Sequence, residues 1–280
     1  MQQKIITSFE QGGGVRTKLN SMLNKVPEIA LSFWIVKVLC TTVGETFADF
    51  LNTNLNLGLT GTSLIMALLL MVILFFQFKA KRYIPWLYWL AVVFISVVGT
   101  LITDNLTDNF GISLITTSIV FSIALITTFA MWYAREKTLS IHSIVTTRRE
   151  TFYWLAILFT FALGTAAGDL IAETFALGYA LSGLIFVGAI AFVYKAYHFG
   201  LNTTVAFWIA YILTRPLGAS LGDYLSQASD DGGLGFGTTL TSIIFLITIL
   251  ILVIYLTMTK KHILTNAQDP AHSPGGGQFD

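Results

Sequence analysis

Charge is scarce in this chain. Only 11% of its 280 residues are Asp, Glu, Lys or Arg, against about 25% in an ordinary soluble domain. The deficit excludes a fully solvated surface. Cysteine is scarcer still: the single Cys40 cannot form an internal disulfide and leaves the redox compartment undetermined. No Ser-His-Asp set, zinc-protease helix motif, phosphate loop or haem-attachment motif is present, so neither an enzyme nor a cofactor is expected. Residues 1–26 are polar, with Gly12–Gly14 as a break, and do not read as a signal peptide.

What is present is apolar. Hydrophobic residues make up 55% of the chain and fall in runs of about 20, enough to span a bilayer's hydrocarbon as helix. Runs such as Leu64–Phe76 and Ile243–Leu256 do not alternate with polar residues, which disfavours a membrane β-barrel. Helices are expected at about 27–51, 58–78, 84–105, 110–134, 152–173, 177–198, 203–226 and 235–259. The fold class is therefore all-α, a polytopic membrane protein of eight transmembrane helices.

The cations set the orientation. Lys4, Arg16, Lys18 and Lys25 precede the first segment. Lys79, Lys81 and Arg82 follow the second, and Arg135, Lys137, Arg148 and Arg149 lie between the fourth and fifth. Lys195 ends the sixth, and Lys260 and Lys261 follow the eighth. All but two of the 16 Lys and Arg thus fall on one side, which places both termini in the cytoplasm. The expected location is the inner (cytoplasmic) membrane of the cell. Because these cations are spread as topology determinants, no nucleic-acid partner is expected. His142, His198 and His262 read as ordinary residues of the inner interface.

A repeat underlies the eight segments. Trp34, Trp89, Trp154 and Trp208 are each followed ten residues later by Gly44, Gly99, Gly164 and Gly218. Five further on stand Asp49, Asp104, Asp169 and Asp223. Such gapless recurrence marks internal duplication. The chain divides into a tail (1–26), two repeats (27–80 and 81–135), a cytoplasmic linker (136–151), two more repeats (152–200 and 201–260) and a disordered tail (261–280). Each repeat is one odd-numbered helix followed by an apolar even one, and all four repeats run parallel, so any pseudo-symmetry axis lies along the membrane normal. The linkers within repeats are too short for a potassium-channel filter.

On these residues the chain resembles the bacterial integral-membrane proteins built of four tandem two-helix repeats of unknown function, each with a Trp and a Gly-Thr…Asp segment. Trp89–Asp104 (with Gly99-Thr100) and Trp154–Asp169 (with Gly164-Thr165) carry the full pattern. Trp34–Asp49 and Trp208–Asp223 depart from it, with Glu45 and Ala219 in place of Thr. The resemblance implies the architecture and leaves the function open.

The three repeat residues suggest different roles. Trp reads first as an interfacial anchor, beside Trp86, Trp132 and Tyr83, and second as a packing wedge. Gly, with a small residue four further on in every copy, reads as a close helix-packing seam; a broken helix at Pro216-Leu217-Gly218 is the other reading. Asp tops a polar stripe at i, i+4 spacing: Lys37, Thr41, Glu45 and Asp49; Ser96, Thr100, Asp104 and Asp108; Thr165, Asp169 and Glu173; Arg215, Ala219, Asp223 and Gln227. The plain alternative is that these Asp cap helix ends.

Ionisable groups inside a bilayer face a bundle interior, a partner or water. The stripes are therefore expected to line one path, with seven acids against the two cations Lys37 and Arg215. Protons or a bound cation must offset the surplus. Glu45, Asp49, Asp104, Asp169 and Asp223 are the candidate metal ligands, and oxygen donors of this kind suit hard cations. Lys37 and Arg215 are expected to pair with Glu45 or another acid as an inner gate. The functional expectation is a secondary transporter or exporter of a small cation, a hard metal ion or one coupled to protons. A passive cation channel and a non-transporting sensor or assembly protein are the alternatives. Partners are then the lipid bilayer, the cation and protons; a homo-oligomer is compatible with this reading.

Overall fold

A computed structural model describes residues 24–54 and 58–268. The expectations for residues 1–23 and 269–280 lie outside the described residues. The rest is helical: α1 (Leu31–Asn54), α2 (Gly58–Lys79), α3 (Pro85–Asp104), α4 (Leu114–Glu136), α5 (Thr147–Asp169), α6 (Gly178–His198), α7 (Thr203–Ser226) and α8 (Thr238–Gln268). All eight are long and apolar enough to cross a membrane.

Local chemistry explains where the helices depart from the expected bounds. α5 begins at Thr147, inside the stretch expected to be linker, because the Thr146 hydroxyl caps it by accepting from the Arg149 amide (3.3 Å). Pro85 opens α3, where its missing N–H costs nothing. α7 runs unbroken through Pro216, so the broken-helix reading there does not hold. α8 continues to Gln268, past the point where a disordered tail is expected. Directly after Asp104 and Asp169, α3 and α5 widen into π-helical turns, Asn105–Asn109 and Leu170–Thr174. Such turns recur at functional sites.

Burial divides the helices into two layers. In the apolar spans of α1, α3, α5 and α7, 61%, 78%, 56% and 61% of residues are buried; in those of α2, α4, α6 and α8 the share is only 17% to 22%. The odd helices form an inner ring, and the even helices present Leu, Ile, Val and Phe outward. The ring closes: α1 packs on α3, α3 on α5, α5 on α7 and α7 on α1. Each even helix packs chiefly on the odd helix of the following repeat, α2 on α3, α4 on α5 and α6 on α7, while α8 returns to α1. Ser242 Oγ donates to Thr46 Oγ1 (2.9 Å) at that closure. The covalent repeat and the packing unit are thus offset by one helix.

The repeat glycines are the ring's contact points. A Cβ on Gly44 would overlap Ser96, one on Gly99 would fall 2.9 Å from Phe161 Cβ, one on Gly164 would overlap Arg215, and one on Gly218 would lie 2.7 Å from Thr41 Cβ. Thr41, Ser96, Phe161 and Arg215 each stand seven residues after a repeat Trp. The same register recurs at all four seams, as close approach through small residues requires.

The tryptophans also close a ring. The aromatic residue before each Trp meets the Trp of the next repeat: Phe33 with Trp89 (5.7 Å between ring centroids), Tyr88 with Trp154 (5.6 Å), Tyr153 with Trp208 (6.2 Å) and Phe207 with Trp34 (5.6 Å). Trp89, Trp154 and Trp208 are buried and Trp34 half-buried. The wedge reading therefore replaces the anchor reading. Trp86, on the outer surface, has the exposure expected of an anchor.

Below this ring the segment entering α1 is strapped to two loops. Lys25 N donates to Ile144 O and Tyr83 N to Asn24 O, both at 3.1 Å. Lys25 Nζ binds Glu150 Oε2 (2.5 Å) and Phe78 O (2.9 Å), and Gln77 Nε2 donates to Glu150 Oε1 (3.2 Å).

Candidate functional site

Because the odd helices share one register, their stripes stack into layers about 6 Å apart, four residues at 1.5 Å each. Starting from the Trp end, the first layer holds Lys37, Val92, Ile157 and Tyr211, and the second Thr41, Ser96, Phe161 and Arg215. Side chains of both layers are fully buried. The third holds Glu45, Thr100, Thr165 and Ala219, also buried. The fourth is the aspartate layer, with Asp223 buried and Asp49, Asp104 and Asp169 half-buried. Asp108 and Glu173, on the two π-helical turns, are exposed at the rim. Exposure rises steadily toward the Asp end, from the fully buried first and second layers to the exposed Asp108 and Glu173.

Arg215 links the third layer together. It springs from the second layer, and its guanidinium reaches the third. There Nη2 binds Glu45 Oε2 (2.9 Å) and Thr165 Oγ1 (2.6 Å) and donates to Thr100 Oγ1, while Nη1 donates to Thr41 O (3.3 Å). It therefore touches residues of all three other odd helices, and a group that does so sits on the ring's axis. Thr100 Oγ1 also approaches Thr165 Oγ1 and Glu45 Oε2, both at 3.4 Å. The Gly-Thr threonines of the middle repeats thus serve as acceptors for one guanidinium.

Lys37 behaves differently from expectation. It makes no ion pair among the described residues. Nζ donates to Tyr211 O (2.7 Å) and to Thr214 Oγ1, and lies over the Tyr211 ring 4.0 Å from its centroid. The reason is position: Lys37 points into the first layer, two layers from Glu45, and no carboxylate enters there. Of the two cations, Arg215 alone pairs with Glu45.

The carboxylates are drawn together unequally. Glu45, Asp169 and Asp223 bring oxygen atoms within 4.8 Å of one another. Asp49 and Asp104 lie outside that trio, within electrostatic reach of Glu45 and of each other. Among the described residues no side chain donates a hydrogen bond to an Asp of the fourth layer, and Arg215 is the one cation that contacts the third. Asp223 is only 6% exposed and Glu45 only 5%. An N-terminal cap uses its carboxylate on backbone amides; these four do not, and two of them are followed by further helical turns. Hard oxygen donors converging in a narrow, largely buried layer can bind a cation.

Several contributors escaped the reading of the sequence: the aromatic residues Phe33, Tyr88, Tyr153 and Phe207, the second-layer partner Phe161, and the Lys25–Glu150 pair. A signal existed for the first group, since every repeat Trp is preceded by Phe or Tyr.

No curated protein and no solved structure matches the chain. One family does, at residues 32–83, 87–138, 152–199 and 206–262. These four matches coincide with the four copies whose Trp, Gly and Asp build the ring, and the chain belongs to the family described as Repeat of Unknown Function (DUF347).

Proposed function

We propose that the protein is a secondary transporter of a small hard cation, and that the third- and fourth-layer carboxylates are its loading site. One observation carries the reading: Glu45, Asp169 and Asp223 converge within 4.8 Å in a largely buried layer where, among the described residues, the only contacting cation, Arg215, pairs with no carboxylate but Glu45. Carboxylates gathered inside a membrane bundle are costly unless a cation or protons offset them. The ligand set favours Mg, Ca, Mn or Na over softer metals.

The recurring register of the seams supports four parallel repeats around an axis along the membrane normal. The cations Lys79, Lys81, Arg82, Arg135, Lys137, Arg148, Arg149 and Lys195 at the Trp end support cytoplasmic termini. The more exposed carboxylate end then faces the outside of the cytoplasmic membrane. Below Glu45 the axis is filled by Arg215, Phe161, Lys37 and Tyr211, all fully buried. That filling favours a carrier over a passive channel, because an ion passes only if Arg215 leaves Glu45.

Replacing Asp169 and Asp223 together by Asn tests the reading in proteoliposomes loaded with a cation indicator. Gradient-dependent uptake by the wild type and its loss in the folded double variant are expected. Unchanged uptake in that variant would sink the proposal. Fast flux in the wild type without any exchange partner or proton gradient would favour the channel.

A further inference from the structure

We infer that Lys37 is the proton-exchanging group of this carrier, surrendering one proton when a cation arrives at Glu45. The inference rests on the cation-loading reading above.

The geometry makes Lys37 suited to that exchange. Its ammonium is fully buried and, among the described residues, contacts no carboxylate. Its polar partners are a carbonyl, Tyr211 O, and a hydroxyl, Thr214 Oγ1, which itself donates to Tyr211 O (2.9 Å). A neutral amine keeps two N–H donors and gains a lone pair. It can still donate to the carbonyl and can exchange roles with the hydroxyl, so losing the proton breaks no ion pair. Arg215 has no such freedom, since guanidinium stays protonated in proteins.

The two cations share one compartment. Lys37 Nζ lies 5.5 Å and Arg215 Cζ 5.9 Å from the centroid of the Phe161 ring. Among the described residues, Glu45 is the one carboxylate in contact with either. A cation bound to Glu45, Asp169 and Asp223 adds positive charge there and competes for Arg215's counter-ion. In a low-dielectric interior that repulsion is strong. Loss of one proton from Lys37 (R–NH3+ to R–NH2 plus H+, released to bulk water) removes one positive charge as another enters.

The other titratable groups around Lys37 are poorer donors for this purpose. Cys40 lies one turn along α1, Tyr211 is on α7, and Tyr88 and Tyr153 come from α3 and α5, their hydroxyls 2.5 Å apart. Each is neutral when protonated, and its ionisation would bury an anion. α8 brings no titratable group against Lys37 among the described residues. The fourth-layer carboxylates are the real competitors as proton source, and the test separates them.

Purified wild type, Lys37→Arg and Lys37→Gln are titrated with MgCl2, CaCl2, MnCl2 and NaCl in weakly buffered detergent solution. Calorimetry reads binding and an indicator dye counts protons. The wild type is expected to release protons on binding, and a folded variant to bind the same cation while releasing one proton fewer. Arg keeps the positive charge and Gln removes it, so a common loss in both points to the proton itself. The same proton count in either folded variant overturns the inference and leaves the loading site standing. If no cation binds the wild type, the loading reading falls and this inference with it.

Discussion

Gly99 on α3 and Gly168 on α5 allow the packing argument to be tested with a single kind of substitution. At Gly99 an added Cβ would lie 2.9 Å from Phe161 Cβ, 3.1 Å from Ala162 N and 3.2 Å from Phe161 C. Two of those three atoms are backbone of α5, which cannot rotate away, so α3 and α5 must move apart. Overpacking of this kind costs about 1–3 kcal/mol. The helix propensity gained by replacing Gly with Ala offsets up to about 1 kcal/mol. Gly168 is the control: its added Cβ meets Ala219 Cβ, Pro216 Cα and Pro216 Cβ, all at 3.7 Å, which is ordinary contact. Gly168→Ala therefore keeps the propensity gain without the clash. Both variants carry the propensity gain, so they are expected to differ by the overpacking cost alone, about 2 kcal/mol. Denaturant unfolding in detergent, followed by tryptophan emission, reports on the ring directly, because Trp89, Trp154 and Trp208 are buried at its base. Equal stability of Gly99→Ala and Gly168→Ala would refute the claim that these seams are set by contact at the repeat glycine.

Two further outcomes follow from groups outside the carboxylate layers. Lys25→Met strands the buried Glu150 carboxylate with Gln77 alone, and should cost about 3–5 kcal/mol; adding Glu150→Gln should recover much of it, and a double variant no more stable than Lys25→Met would count against a buried pair. Cys40 is fully buried, so it should resist thiol reagents in the folded protein and react once the chain is unfolded; labelling measured by mass shift under both conditions decides this.

Much of the scaffold was readable because it rests on periodicity. Runs of apolar residues, cations on one side and a gapless Trp, Gly and Asp pattern are local signals, and they lead to eight helices in four copies. The partner of each even helix was not readable. α2 meets α3 rather than α1 through faces that are apolar nearly all round, and hydropathy does not say which neighbour such a face prefers. The role of the tryptophans was misjudged for a related reason. Distance from the membrane boundary suits an anchor and a wedge equally, and only the aromatic residue preceding each Trp separates them. Lys37 was assigned an acid it does not meet, because i, i+4 spacing puts groups on one helix face without showing that they share a layer. Glu45 is two layers away, and the guanidinium from α7 reaches it first.

Departures from fourfold repetition follow a rule of geometry. A residue at a seam can be supplied four times, once per repeat, and Gly and the aromatic pairs are. A residue on the axis can be supplied only once, because four copies would occupy the same space. Arg215 is such a residue: its guanidinium contacts the third-layer side chains of the other three odd helices, and at the equivalent positions Thr41, Ser96 and Phe161 leave room for it. The same logic accounts for its neighbours. Glu45 replaces threonine where a counter-charge is needed, Thr100 and Thr165 remain as neutral acceptors, and Ala219, on the same helix as Arg215, adds no bulk to the crowded centre. Lys37, Glu45, Arg215 and Ala219 all belong to α1 and α7, the helices that close the ring between its first and last repeats. The symmetric positions hold the ring together, and the asymmetric ones set a single guanidinium at its centre.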